Sequence, residues 1–131
     1  MEIKSVKTNS QLAEKLFSLL KSEWPEFEGF KQEKLGVKIP DPIVSSINGE
    51  LVGGLSFTSY QVPMSDSIAI WINAVFVIPK FRGMGIASKM IDKTQEVAEE
   101  LYALTDVPEL YSKLDWNIVL KNENGTTVKN T

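Results

Sequence analysis

Ile68–Ile78 is the stretch that most constrains this 131-residue chain: ten of its eleven residues are apolar, and β-branched and aromatic types dominate. Such a composition suits a strand. Apolarity on consecutive rather than alternate residues places that strand in the middle of a sheet, buried on both faces. Eleven residues fall far short of the ~20 that cross a bilayer, so the run is a core element and no membrane span is expected.

The remaining elements assemble around it. Glu2–Val6 alternates polar and apolar residues as a first strand, and Thr8-Asn9-Ser10 begins a helix, with Thr8 and Gln11 at capping-box spacing. Leu12, Ala13, Leu16, Phe17, Leu19 and Leu20 lie on one helical face, and Trp24-Pro25 ends the helix. Glu26–Pro40 has weak periodicity and reads as a loop with one or two helical turns. Pro42–Ile47 and Leu51–Tyr60 flank Asn48-Gly49, a hairpin signal, and Gly53-Gly54 marks a bulge or a close backbone approach. Beyond the central strand, Ile86, Ala87, Met90, Ile91, Val97, Ala98 and Leu101 form one stripe of a helix of about four turns. Leu101–Thr105 returns parallel to the central strand through that crossover. Asp106 caps a short helix with Pro108 in its first turn, and Trp116–Lys121 and Thr126–Lys129 form a second hairpin about Asn124-Gly125.

The order β-α-(loop)-β-β-β-α-β-α-β-β is an α+β (mixed α/β) arrangement. It predicts a central mixed, mostly antiparallel β-sheet flanked by helices, in a single domain over residues 1–131. With 43% hydrophobic and 24% charged residues the chain has globular composition. Neither cysteine nor histidine occurs, which removes disulfides, thiolate nucleophiles, Ser-His-Asp triads and Cys/His metal sites; no metal is expected. The net charge of −3 without a dense basic run argues against nucleic acid as a partner and mildly favours a cationic one. Met1-Glu2-Ile3-Lys4 lacks the pattern of a signal peptide, so a cytoplasmic enzyme or binding module, monomer or homodimer, is the expectation.

Chemistry concentrates where the central strand ends. Val77-Ile78-Pro79 leads into Arg82-Gly83-Met84-Gly85 and directly into a helix. A helix start offers unpaired N–H groups and the positive end of the dipole, and glycines let an anion such as a pyrophosphate approach them. A dinucleotide fingerprint counted from Gly83 fails at Ser88, and no Walker-type spacing exists. What remains is Arg82-x-x-Gly85-x-Ala87 after Val77-x-Pro79.

Those residues, with Tyr111-Ser112-Lys113-Leu114-Asp115-Trp116 downstream, resemble the Gcn5-related N-acetyltransferase (GNAT) family, whose signatures are Gln/Arg-x-x-Gly-x-Gly/Ala and Tyr-x-Lys-Leu-Gly-Phe/Trp. The resemblance extends to the order of elements and implies a GNAT-like acyl-CoA N-acyltransferase fold with acetyl-coenzyme A as co-substrate. It implies that the backbone of Val75, Phe76 and Val77 binds the pantetheine arm. Arg82, Gly83, Met84, Gly85, Ile86, Ala87 and Ser88 would cradle the pyrophosphate, and Tyr111 would be the general acid to the departing thiolate. A phenol, with its ordinary pKa near ~10, arrives protonated for that task.

Two positions depart from the pattern. Asn73 stands where the family often has a carboxylate base, leaving Glu23, Glu26, Glu28, Asp66 or a water chain as alternatives; Asp115 stands where glycine is usual. Trp24, Phe27 and Asn73 are candidates for an acceptor pocket; Trp24 and Phe27, with Phe30, are equally candidates for hydrophobic plugs, and Tyr111 is alternatively a core aromatic. Lys89 and Lys93 either reach the coenzyme phosphates or are simply solvated. The implied activity is direct acetyl transfer to a primary amine of a small molecule or protein, without a cysteine relay. The alternative is a non-catalytic acetyl-coenzyme A sensor module.

Overall fold

The computed structural model describes residues 1–130. Seven strands form one sheet: β1 (Glu2–Ser5), β4 (Ile43–Ile47), β5 (Glu50–Gln61), β6 (Ile68–Val77), β7 (Leu101–Thr105), β8 (Trp116–Asn122) and β9 (Gly125–Asn130). Their order is β1-β4-β5-β6-β7-β9-β8, and a separate two-stranded hairpin pairs β2 (Glu33–Lys34) with β3 (Val37–Lys38). Every pair is antiparallel except β6–β7. The apolar run is thus the middle strand, and the one parallel connection follows it, as expected.

Helix α1 (Gln11–Glu23) buries Ala13, Leu16 and Leu20 against one side of the sheet, with Val44, Leu51 and Ala74. Helix α2 (Ile86–Lys93) buries Ile86, Met90 and Ile91 in a second cluster with Val52, Leu55 and Leu101. The short α3 (Pro108–Ser112) adds Tyr111 to that cluster. Consecutive residues of a strand face opposite sides, and Gly53 and Gly54 serve one helix each. A Cβ at Gly54 would run into Leu16 of α1, whereas one at Gly53 would lie 3.4 Å from Met90 Cε and 2.8 Å from the Phe76 carbonyl oxygen. Close approach is therefore the reason for this pair, and a bulge adjoins it, because Ser45 opposes Gly53 while Ser46 opposes Leu51. No helix is long and apolar enough to cross a membrane among the described residues.

Several local expectations are corrected. The cap of α1 is Ser10, which accepts from the Ala13 amide at 3.2 Å, not Thr8. Glu26–Pro40 contains the β2–β3 hairpin and no helical turn; Leu35 (φ 55°) and Gly36 (φ 77°) form its bend. Two-residue strands leave no periodicity to read, and the hairpin is held from outside, by Ser59 Oγ donating to the Lys34 carbonyl at 2.6 Å. Helix α2 stops at Lys93, where buried Thr94 turns its hydroxyl back to the Ile91 carbonyl at 2.5 Å and a 3₁₀ turn follows. Val97 and Ala98 still pack on the core, which is why the stripe outruns the helix. The N-cap of α3 is Val107, whose amide is taken by Thr105 Oγ1 at 3.0 Å rather than by Asp106. The last hairpin turns at Glu123-Asn124, with Gly125 already paired to Asn122. Strand β6 is not buried throughout: Asn73 is exposed, and Val75 and Phe76 are partly so. The cause is the way its partner strands part around it.

Candidate functional site

Strands β6 and β7 pair only from Ile70 to Ile72, against Leu101 to Ala103. From Asn73 to Val77 the β7-facing edge of β6 has no strand partner, although from Ala74 onward the other edge stays paired to β5. The parting begins at a bulge: Ser56 opposes Ala74 and Phe57 opposes Ile72, so Asn73 is the unmatched residue. A bulge bends its strand and increases local twist, turning β6 away from β7. Asn73, read in the sequence as an amide in a carboxylate's place and as an acceptor-pocket candidate, is therefore also the residue at which the cleft opens. A near-continuous apolar run gives no sign of such a bulge.

The unpaired edge leads into a 3₁₀ turn, Pro79–Phe81, and then the glycine loop. Arg82 ties this loop back to the strand, with Nε donating to the Val77 carbonyl at 2.8 Å and its guanidinium 5.2 Å from the centre of the Phe76 ring. Gly83 (φ 82°) and Gly85 (φ 79°) both adopt the left-handed conformation, and nothing lies within 4 Å of where a Cβ would stand at either. Gly85 is the N-cap of α2 and supplies no side-chain cap. The first helical bond is made by the Lys89 amide to the Gly85 carbonyl at 3.1 Å, so the amides of Ile86, Ala87 and Ser88 precede the helical ladder and point outward with the dipole's positive end. Met84 is exposed. Lys93 pairs with Glu96 at 3.1 Å, on the surface.

Tyr111 is 4% exposed and packs edge-on against Trp116, with ring centres 5.1 Å apart. It shares its core cluster with Val77, the last residue of the unpaired edge, and with Ile86, the first of α2. Burial pushes its phenol pKa up to about 12. Asp115, between Tyr111 and Trp116, takes the left-handed conformation (φ 66°) that the aspartate-for-glycine exchange requires; Asp tolerates it better than most residues.

On the other side of Asn73 lies a cavity of about 800 Å³. Trp24, Phe27, Asn73 and Ala74 line it, as do Phe57, Thr58 and Trp71 from the sheet. Phe30 does not; it packs on Phe17 and Phe27 and borders a separate groove. Of the four carboxylates considered, Glu26 and Glu28 reach the cavity wall, whereas Glu23 and Asp66 do not. Glu28 is bound to Lys31 at 2.9 Å, and that hydrogen bond, with the lysine's charge, holds its pKa below the ordinary carboxylate value. Lys34 also lines the cavity; it lies on the β2–β3 hairpin that the sequence pattern does not disclose.

A sheet that parts at a bulge, next to a glycine-rich helix start, gives the setting for comparison with known proteins. The sequence profile of the acetyltransferase (GNAT) family matches residues 11–117. The chain belongs to that family. No curated protein sequence matches it significantly. The GNAT fold is shared with a crystal structure of aminoglycoside 6'-acetyltransferase type Ii (24% identity, TM-score 0.69, covering 100% of this chain and 97% of that one). An aminoglycoside 6'-N-acetyltransferase complexed with coenzyme A is also similar (20% identity, TM-score 0.64, 98% and 94% covered). So is the aminoglycoside 6'-N-acetyltransferase from Enterococcus faecium (20% identity, TM-score 0.66, 98% and 96% covered). These likenesses agree with the mixed, mostly antiparallel sheet, and the glycine loop of this GNAT chain lies within the residues that the family profile matches.

Proposed function

We propose that this GNAT protein transfers the acetyl group of acetyl-coenzyme A directly to a primary amine while both are bound. The observation that carries the reading is the continuity of three features: the unpaired Asn73–Val77 edge, the free amides at the start of α2, and a cavity that meets this edge at Asn73 and Ala74. An amide-bearing pantetheine arm fits an open strand edge, because it can take the hydrogen bonds that β7 leaves unmade. In this reading Val75, Phe76 and Val77 hold the arm, with the Val77 carbonyl already engaged by Arg82. Gly83 to Ser88 receive the pyrophosphate on their amides, where glycine permits close approach.

The acceptor enters from the cavity side, past Trp24 and Phe27. Its nitrogen attacks the thioester carbonyl carbon, the C–S bond breaks, and the sulfur leaves with the Tyr111 proton. The proton released by the amine goes to Glu26, directly or through water; Glu28 is a poor base because Lys31 stabilises its charged form. With a pKa of about 12, Tyr111 stays protonated across the neutral range and in this reading donates as charge grows on sulfur. A free thiol has an ordinary pKa near ~8.5, so donation becomes favourable only where the thiolate is itself desolvated, which this reading supplies by seating it beside the buried phenol.

The test is release of free coenzyme A thiol from acetyl-coenzyme A with a panel of primary amines. Turnover that falls in Tyr111→Phe with the coenzyme's affinity retained supports transfer with Tyr111 as acid. Tight coenzyme binding with no turnover on any amine favours the sensor reading.

A further inference from the structure

Lys34 is a cation on the cavity wall that makes no ion pair, although its charge is felt at Glu28. Its backbone is pinned to β5 by Ser59, a fully buried residue whose Oγ donates to the Lys34 carbonyl at 2.6 Å. Its Nζ donates to Thr58 Oγ1 at 3.1 Å, on the cavity wall. The side chain is therefore fixed at both ends, although a lysine on a two-residue strand ordinarily swings free in water. Among the described residues the ion pairs are Lys4–Glu2, Lys31–Glu28 and Lys93–Glu96, so Lys34 has no carboxylate within ion-pair distance. A partly buried ammonium held this way is short of an anion, since each of its three donors gains most from a charged acceptor.

We propose, building on the transfer reading above, that Lys34 receives a carboxylate carried by the acceptor amine. The charges on the cavity wall favour this over a polycation. Two glutamates, Glu26 and Glu28, are matched by two lysines, Lys31 and Lys34, and Lys31 already occupies Glu28. What remains is one free carboxylate and one free ammonium, the complement of a zwitterion. The −3 charge of the whole chain is not expressed in this lining.

Sheet geometry sets the length of the ligand. Thr58 pairs with Trp71, and Asn73 is two residues farther along β6. With ~3.3 Å per residue along a strand and ~4.8 Å between strands, Thr58 and Asn73 stand about 8 Å apart. An α-amino acid has only two bonds of about 1.5 Å between its nitrogen and its carboxyl carbon, too few to place the amine at Asn73 and the carboxylate at Lys34. A dipeptide or an ω-amino acid spans the gap, and Trp24, Phe27, Phe57 and Trp71, which line the same cavity, suit an apolar body. The acceptor class is thus a short apolar peptide, acetylated at its N-terminus, or an ω-amino acid of similar length.

The experiment compares kcat/KM for matched pairs, an apolar dipeptide against its C-terminal amide and 6-aminohexanoate against its amide, with free phenylalanine and a polycationic aminosugar alongside. The expected result is a preference of tenfold or more for each carboxylate over its amide, through KM. That ratio collapses toward one in Lys34→Met and is largely restored in Lys34→Arg. Equal use of acid and amide by the wild-type protein, a ratio that Lys34→Met leaves in place, or better use of phenylalanine or the aminosugar than of the dipeptide would each overturn the assignment. Absence of turnover on every amine would instead overturn the transfer reading on which it rests, so the two failures are distinguishable.

Discussion

The buried phenol of Tyr111 makes the stability of this protein depend on alkaline pH in a calculable way. Burial raises its pKa to about 12 from the ordinary 10.0. The folded state therefore holds the proton between those values while the unfolded state has released it. A group with a raised folded pKa contributes its full share below the unfolded pKa and loses it as pH rises through the folded one. The share over the whole window is about 2.7 kcal/mol, from two pKa steps of 1.36 kcal/mol each. By pH 11, half-way through, about 1.4 kcal/mol of it is gone. Urea unfolding of wild type and Tyr111→Phe at pH 8 and pH 11 isolates the effect, since all other titrations are common to both. The wild type is expected to lose about 1.4 kcal/mol more than the variant between the two pH values. Equal losses would mean that the phenol is not desolvated in the folded protein, and the water-poor setting on which donation from Tyr111 to the thiolate depends would fall with it.

Other expectations follow from packing and backbone geometry. Gly54→Ala drives a methyl into Leu16 and should cost about 1–3 kcal/mol as overpacking, with a non-additive recovery when combined with Leu16→Ala; additivity in chemical denaturation would contradict the α1–β5 contact. Ser10→Ala removes the α1 cap and should cost about 1 kcal/mol, whereas Thr8→Ala should be near neutral, as thermal melts can decide. Gly85→Ala meets no atom within 4 Å but sits at φ 79°, so strain of about 1–2 kcal/mol is expected in the free protein. A larger loss of acetyl-coenzyme A affinity than of stability would locate the ligand at that loop.

What the sequence reveals of this fold is what depends on neighbours along the chain. The apolar run Ile68–Ile78 identifies the middle strand because no other location buries so many consecutive β-branched residues. Asn48-Gly49 identifies its hairpin because a type I′ two-residue turn needs both central residues at positive φ, and both have it, at 51° and 80°. Asp115 was open to a left-handed conformation on residue type alone and adopts it. The glycine loop is visible because it too is a local device. Features held from a distance are not legible. The Lys34 hairpin exists through Ser59 and Thr58, 25 and 24 residues away. The Asn73 bulge is a property of the β5–β6 register, and the end of α2 is decided by the hydroxyl of one buried threonine. The division explains why the glycine loop is visible as a local motif while the shape of the cavity beside Asn73, built in part from the Glu26–Pro40 segment and the sheet face beneath it, is not.

The most direct test of the account is calorimetric titration of the protein with acetyl-coenzyme A, supported by the shift in thermal midpoint that a ligand selective for the folded state must produce. The account predicts saturable one-to-one binding that raises the midpoint in wild type and is weakened by a bulky side chain at Gly85. No binding at millimolar ligand would mean that the open edge from Asn73 to Val77 and the amides of the glycine loop serve the fold alone, and the proposed transfer reaction would have to be withdrawn.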